Sequence, residues 1–100
     1  VTELVAARNM TRLAAFKIDQ GHGEATTYSA MAKRYATDVG FNVCNEALQI
    51  FGGYGYIQEY PLERNVRDVR VHQILEGTNE IMRMIIGRRM IMEDAASIIQ

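Results

Sequence analysis

Apolar side chains recur at helical spacing over the first twenty positions of the chain. The stripe advances in steps of three and four residues and is formed by Ala6, Ala7, Met10, Leu13, Ala14 and Ile18. Such spacing is typical of one face of an amphipathic helix. Gly21 and Gly23 follow the stripe, and glycine often ends a helix because it adopts a left-handed backbone conformation easily. The pattern predicts a first helix from Val1 to Gln20.

A second and longer stripe predicts the central helix of the fold. We expect this helix to begin after Thr26 and Thr27, whose side-chain oxygens could cap its first turn. Its main apolar face is formed by Tyr28, Met31, Ala32, Tyr35, Ala36, Val39, Val43, Ala47 and Ile50. Its second half carries a further apolar face at Phe41, Cys44 and Leu48. A helix that is apolar on several sides is usually buried between neighbours, so we expect this one to be central.

The end of the central helix is marked by glycines. Gly52, Gly53 and Gly55 should end it and begin a tyrosine-rich loop that runs to Tyr60. Pro61 suits the first turn of a third helix, where its missing N–H group costs nothing.

The third helix is predicted from Leu62 to about Gln73, with three side chains facing inward: Val66, Val69 and Ile74. Gly77 interrupts the pattern, and Thr78 can cap a fourth helix that runs from about Asn79 into the nineties. No segment alternates apolar and polar residues as a strand does. The sequence therefore predicts one all-α domain over residues 1–100, an up-down bundle of about four helices.

Composition narrows the possible functions. The 100 residues are 48% hydrophobic, and eleven basic residues face twelve acidic ones, for a net charge of −1. That balance favours neither nucleic acid nor an anionic membrane as a partner. No apolar run reaches the roughly 18–20 residues that span a bilayer, and no signal peptide is visible at the start. Val1 is not a start methionine, and the residues from Val1 onward already have the pattern of a helix interior. We therefore expect a piece of a longer chain.

The cysteine and histidines exclude other chemistry. Cys44 is the only cysteine, so it cannot form an internal disulfide, and a lone thiol fits a reducing compartment. His22 and His72 lack metal-ligand spacing, and we expect no metal site.

Two stretches differ from ordinary helical-bundle sequence. The first is QIFGGYGY over residues 49–56, and the second is RDVRVHQILEGTNE over residues 67–80, continuing to Gly87 and Arg88. Taken singly, each has an ordinary explanation: a helix end with a loop, and a helix break with a cap. On this reading Glu76 is a solvated loop carboxylate.

Together, the two stretches resemble the acyl-CoA dehydrogenase family, and the resemblance covers most of the chain. Proteins of this family have an N-terminal helical domain, a middle β-domain and a C-terminal helical bundle, and only the last is represented here. The motif HQILEGT is more similar to the sequences of short and branched-chain members, such as those acting on isobutyryl-CoA, than to those of medium-chain members.

The resemblance implies a role for each residue of the turn. Glu76 falls on the catalytic base, which removes the α-proton of an acyl-CoA thioester while FAD takes the β-hydrogen as hydride. The backbone N–H group of the same glutamate would help to stabilise the enolate. Apolar neighbours such as Ile74, Leu75 and Ile81 could desolvate the carboxylate. Gly77 and Arg88 fall on substrate positions, although Arg88 also has an ordinary reading as a surface arginine.

The resemblance also implies the cofactor contacts and the assembly. Thr78, Asn79 and Glu80 fall on positions near the flavin nucleotide. A second set reaches the FAD of a neighbouring subunit: Gln49, Ile50, Phe51, Gly52 and Gly53. The protein is thus expected to be a homo-oligomer, a tetramer by resemblance, with an electron-transfer flavoprotein as acceptor and a location in bacterial cytoplasm or mitochondrial matrix.

Two alternatives remain open at this point. An acyl-CoA oxidase would share the fold and differ in how the reduced flavin is reoxidised. A non-catalytic helical module for oligomerisation would show no dependence of activity on Glu76. The ion pairs expected among Arg64, Arg67, Asp68 and Arg70 would only position the turn.

Overall fold

The computed structural model describes residues 1–92, which form five α-helices and one 3-10 helix and contain no strand. The helices are α1 (Thr2–Asp19), α2 (Ala25–Phe51), α3 (Gly53–Tyr56), α4 (Leu62–Arg70), the 3-10 helix (Val71–Gln73) and α5 (Asn79–Met92). The all-α prediction is confirmed. The part of the predicted domain beyond Met92 lies outside the described residues.

The helix α2 is the centre of the domain. It packs against α1, α4 and α5, and each of these elements contacts it more extensively than it contacts the others. Small side chains are buried in both α1 and α2, at Ala7 and Ala14 of α1 and at Ala30 and Ala32 of α2. Since the distance between packed helices depends on the side chains between them, these methyl groups allow close approach. The prediction of a central second helix agrees with this arrangement.

A glycine turn connects α1 to α2. Gly21 has φ 61°, and its N–H group donates to the carbonyl of Ile18 at 2.9 Å. The N–H group of His22 donates to the carbonyl of Lys17 at 3.0 Å. These two bonds form a Schellman motif, which satisfies the last carbonyls of a helix. The glycine stop predicted after Gln20 is thus observed.

The predicted caps of α2 are wrong. The helix begins at Ala25 with Glu24 in the N-cap position, and no side chain caps it. Thr27 lies inside the first turn, with 1% of its surface exposed. The reason is the preceding turn, in which the N–H group of Ala25 already donates to the carbonyl of His22. The chain therefore enters the helix two to three residues earlier than the threonines indicate.

The tyrosine-rich segment is more ordered than the predicted loop. One helical turn, α3, follows directly on α2. Gly55 is buried there, and a Cβ atom at this position would lie 2.7 Å from the carbonyl oxygen of Leu48. Tyr60 packs its ring edge-on against Tyr54 and Phe51, at centroid distances of 5.6 and 6.0 Å. Only a glycine permits this close return of the chain onto α2.

The third predicted helix divides into two elements. Regular α-helix ends at Arg70, and the 3-10 helix then tightens the chain before the next turn. Ile74 is 51% exposed, so the prediction that it faces inward is wrong. The 3-10 geometry rotates the last residues away from the α-helical stripe, because it has three residues per turn rather than 3.6.

Ion pairs lie along the exposed face of α4, as expected. Arg67 donates to Glu63 at 2.8 and 3.2 Å, and Arg64 lies 3.5 Å from Asp68. The hydrogen bond from Arg67 lowers the pKa of Glu63 below its ordinary value. This contribution to stability is present at neutral pH and is lost as the pH falls and Glu63 is protonated. Arg70 instead lies over the ring of Phe41, at 6.0 Å.

None of the helices within residues 1–92 is both long and apolar enough to cross a membrane.

The turn after α1 gives a matched test of the fold. A Cβ atom would meet nothing within 4 Å at either Gly21 or Gly23, but only Gly21 has a left-handed backbone. Gly21→Ala should therefore lower the free energy of unfolding by about 1–2 kcal/mol. Gly23→Ala should leave it unchanged or slightly raised. Urea denaturation of the intact protein measures both, and equal effects would contradict the left-handed assignment.

Candidate active site

The Glu-Gly-Thr turn connects the 3-10 helix to α5 and has an unusual backbone. Glu76 has φ 57°, and it is the only non-glycine residue with positive φ among residues 1–92. Gly77 follows with φ 91°. A left-handed conformation costs an L-residue about 1–2 kcal/mol. Such a conformation persists only where neighbouring contacts hold it, and it is found more often at functional sites.

A lysine of α2 holds the turn. The Nζ atom of Lys33 donates to the carbonyl oxygen of Gly77 at 2.8 Å and to Oδ1 of Asn79 at 2.7 Å. Hydrogen bonds from a charged donor contribute about 1.5–3 kcal/mol. One such bond is comparable to the cost of the left-handed Glu76. The contact from Lys33 therefore provides enough free energy to keep the turn in place.

The side chain of Asn79 is fully used inside the protein. It is 3% exposed, and its Nδ2 atom donates to Thr37 Oγ1 at 2.9 Å and Asp38 Oδ1 at 2.7 Å. Its Oδ1 atom accepts from Lys33. The carboxamide thus connects a cation to an anion, and both charges fix its orientation.

Asp38 connects the residues on both sides of the turn. Its Oδ1 atom accepts from Gln73 at 2.8 Å as well as from Asn79. Its Oδ2 atom lies 3.5 Å from Arg34 and 3.7 Å from Arg83. The carboxylate therefore ties the 3-10 helix and α5 to the same turn of α2.

Free backbone donors line the turn. The N–H groups of Glu76 and of residues 78–80 donate to no backbone carbonyl within residues 1–92. Thr78 caps α5 as predicted, because its Oγ1 atom accepts from the N–H group of Ile81 at 3.4 Å. Glu80 is exposed in the first turn of α5 and lies 3.5 Å from Arg83. Free N–H groups at the start of a helix favour an anion or a polar ligand group.

The carboxylate of Glu76 is open to solvent in this chain. The neighbours expected to enclose it do so poorly, since Ile74 is 51% and Ile81 43% exposed. Leu75 is half-buried. The expected desolvation by these three residues is therefore not provided within residues 1–92.

The second set of candidate cofactor residues lies at a different place. Gln49, Ile50 and Phe51 are exposed in the last turn of α2, and Ile50 is 84% exposed. From Lys33 to Gln49 the helix rises about 24 Å, at 1.5 Å per residue. Within one copy of residues 1–92, these residues and the Glu76 turn do not form one site.

Arg88 is also separate from the turn. It is exposed on α5, and from Asn79 to Arg88 that helix rises about 13 Å. Arg88 borders a groove of about 570 Å³ together with Thr26 and Ile85. The structure thus brings Glu76, Gly77, Thr78, Asn79 and Glu80 together and leaves Arg88 apart.

The contacts from α2 were missed by the sequence analysis. Lys33, Thr37 and Asp38 are polar residues spaced four and five apart, in the middle of a helix predicted to be central. Buried polar side chains are nearly always hydrogen-bonded. That spacing could have indicated a polar contact to another helix, although the sequence does not show which one.

A second groove does not contain Glu76. It has a volume of about 580 Å³ and lies between α1, α2 and α5, bordered by Met10, Met31 and Ile86. Arg34 and Arg83, which both approach Asp38, form part of its edge. The Glu-Gly-Thr turn therefore lies beside this apolar groove and not in it.

Comparisons with known proteins agree with the motifs. Residues 1–91 match the family described as acyl-CoA dehydrogenase, C-terminal domain. The mitochondrial isobutyryl-CoA dehydrogenase of Bos taurus is 51% identical over 90 residues, which are 90% of this chain and 22% of the relative.

Solved structures show the same arrangement of helices. Butyryl-CoA dehydrogenase from Megasphaera elsdenii superimposes with a TM-score of 0.85 and 46% identity, over 90% of this chain and 23% of that chain. The FAD complex of PigA gives a TM-score of 0.86 and 32% identity, over 92% and 24%. The chain therefore spans less than a quarter of the length of each of these proteins.

The left-handed backbone at Glu76 predicts a reversal of the usual order of alanine and glycine. Glu76→Gly should unfold with a free energy about 1 kcal/mol higher than Glu76→Ala, since glycine adopts positive φ without strain. At Glu46, inside α2, the order should be opposite by about 1 kcal/mol. Denaturation of the four variants of the intact protein measures this. The same order at both positions would mean that Glu76 is not left-handed.

Proposed function

Because this chain belongs to the acyl-CoA dehydrogenase family and corresponds to its C-terminal domain, we propose that the whole protein is an FAD-dependent acyl-CoA dehydrogenase. In this proposal Glu76 is the catalytic base. The observation that carries it is the left-handed backbone at Glu76, in a turn fixed by Lys33 and open to solvent. A strained and exposed carboxylate is more consistent with chemistry than with folding.

The reaction needs a base for a weakly acidic C–H bond. The Glu76 carboxylate takes the α-proton of the thioester, and the electron pair of the broken bond moves onto the thioester oxygen as an enolate. A base of this kind works best in a site that excludes water. Since residues 1–92 leave Glu76 exposed, the enclosure has to come from the acyl chain, the cofactor and the rest of the protein.

The enolate oxygen needs hydrogen-bond donors. The N–H group of Glu76 has no backbone acceptor within residues 1–92, so it is available for this purpose. The positive φ of Glu76 matters here, because it sets the direction of the N–H group relative to the side chain. One residue would then supply both the base and a donor to the developing charge.

The cofactor fits the residues that the chain offers. FAD, when bound, accepts the β-hydrogen as hydride. The free N–H groups at the start of α5 suit its polar groups, and Thr78 and Glu80 lie beside them. Because the side chain of Asn79 is fully used, we assign only its backbone to the cofactor. PigA, a structural relative, has been solved as an FAD complex.

The residues at the end of α2 support an oligomer. Gln49, Ile50 and Phe51 are exposed about 24 Å from Lys33, and a Cβ atom would meet nothing within 4 Å at Gly52 or Gly53. We assign these residues to the FAD of a neighbouring subunit, which makes the protein a homo-oligomer, and a tetramer by family.

Gly77 lies beside the base on the substrate side. Arg88 is assigned to the substrate only if the rest of the protein brings the ligand to it.

We assign the substrate to the short or branched acyl-CoA thioesters. The support is the 51% identity to an isobutyryl-CoA dehydrogenase and the match to a butyryl-CoA dehydrogenase. An electron-transfer flavoprotein is the acceptor in this proposal. The oxidase alternative would instead consume oxygen on reoxidation. The location is assigned to the mitochondrial matrix or the bacterial cytoplasm, since the relatives include a mitochondrial protein of Bos taurus and a protein of Megasphaera elsdenii.

The half-reaction tests the function and the base together. The intact protein, with FAD bound, is mixed anaerobically with isobutyryl-, butyryl- or octanoyl-CoA while the flavin absorbance is followed. Glu76→Gln should slow flavin reduction by roughly 10²–10⁴-fold, the range typical of general bases. Glu63→Gln, on the exposed face of α4, is the control and should react as the unchanged protein does.

Each other outcome has a clear meaning. Rapid reduction that survives Glu76→Gln would place the base elsewhere in the protein. If no acyl-CoA reduces the flavin of the unchanged protein, the substrate class is wrong, and the non-catalytic oligomerisation module gains support.

A further inference from the structure

Three side chains of α2 hold the Glu76 turn at three points. Gln73, before the turn, donates to Asp38 at 2.8 Å. The carbonyl of Gly77, within the turn, accepts from Lys33 at 2.8 Å. Asn79, after the turn, bonds to Lys33, Thr37 and Asp38 at 2.7–2.9 Å. Glu76 itself is not bonded to α2, so its position depends on the residues around it.

The contact of Lys33 is the nearest of these to Glu76. The carbonyl group that it binds belongs to Gly77, which is bonded directly to Glu76 in the chain. Both residues have positive φ, so rotation at either one would redirect the Glu76 carboxylate and its N–H group. The glycine offers little resistance to such a rotation, because it has no Cβ atom. A fixed carbonyl at Gly77 therefore restricts the turn where it is most easily deformed.

The charges of Lys33 and Asp38 strengthen the hydrogen bonds that fix the turn. The carboxamide of Asn79 lies between them, accepting from the ammonium and donating to the carboxylate. Hydrogen bonds to ionised groups are shorter and stronger than those between neutral groups. Lys33 is half-buried and Asn79 is buried, so both are shielded from solvent. Water therefore competes weakly for these bonds.

We propose that Lys33 is a positioning residue for the base Glu76, acting through the carbonyl of Gly77 and the side chain of Asn79. This inference rests on the proposed function of Glu76. Lys33 touches neither the substrate nor the cofactor in this proposal. It sets the angle at which the carboxylate meets the α-proton, and a misplacement of about 1 Å can cost on the order of 100-fold in rate.

The test replaces Lys33 in the intact, FAD-loaded protein. Lys33→Met removes the cation and both hydrogen bonds but keeps most of the length of the side chain. The rate of flavin reduction at saturating acyl-CoA should fall by roughly 10–100-fold. The dissociation constant of the acyl-CoA and the FAD content should change little, because the variant alters positioning and not binding. Lys33→Arg, which keeps the charge and can donate to two acceptors, should recover most of the rate.

A matched lysine controls for stability. Lys17 is also partly shielded, lies 3.3 Å from Glu24 and sits over the ring of Tyr28. Lys17→Met should destabilise the protein to a similar degree and leave the reduction rate unchanged. Hydrogen exchange of residues 81–84, measured without substrate, should become faster in Lys33→Met and not in Lys17→Met. That measurement reports the start of α5 independently of activity.

The double variant separates positioning from other effects. In a Glu76→Gln protein there is no base left to position, so adding Lys33→Met should lower the residual rate little further. A full additional loss in the double variant would mean that Lys33 acts independently of Glu76. An unchanged rate in Lys33→Met, or an equal loss in Lys17→Met, would also overturn the inference.

Two further results keep the test decisive. If Lys33→Met does not accumulate as folded protein, Lys33→Gln takes its place, because glutamine lacks the charge and is one atom too short to keep both hydrogen bonds. That variant should also reduce the flavin more slowly, and an unchanged rate would overturn the inference. If Glu76→Gln itself reacts rapidly, the proposed function has failed. A slow Glu76→Gln beside a fast Lys33→Met would reject only the role of Lys33.

Discussion

Lys33 donates two short hydrogen bonds from the middle of α2 to the start of α5, and the geometry of the candidate site depends on them. The turn between these contacts contains a glutamate in a backbone conformation that costs an L-residue about 1–2 kcal/mol. A charged hydrogen bond contributes about 1.5–3 kcal/mol, so the contacts can offset that cost. Without them, Glu76 and Gly77 would relax toward other conformations.

The long central helix serves both candidate regions. Its middle holds the Glu76 turn through Lys33 and Asp38, and its last turn exposes Ile50 and Phe51 about 26 Å from Lys33. Because a continuous α-helix is stiff, the distance between the regions is fixed within one chain. A ligand that contacts both regions closely has to be shared between copies, or has to be met by other parts of the protein.

The left-handed Glu76 illustrates how a site is stabilised against its own backbone. Glycine would adopt the same conformation without strain, yet it would bring no carboxylate to this position. The carboxylate of Glu76 is exposed. The buried hydrogen bonds are instead made by neighbouring residues of the turn, above all by Asn79, which is 3% exposed. In the proposed function, stability and chemistry are thus assigned to different residues of the same turn.

The sequence by itself determined the all-α class, the order of the four main helices and the glycine stop after α1, because these depend on spacing and local backbone preference. The residue motifs also determined the family, and they singled out Glu76. Only the tertiary structure decided that Asn79 is buried and bonded to Lys33, 46 positions earlier in the chain. It also decided that Ile74 is exposed and that α2 begins before its threonines. Contacts between distant residues depend on how α2 packs against α5, and no local pattern records that packing.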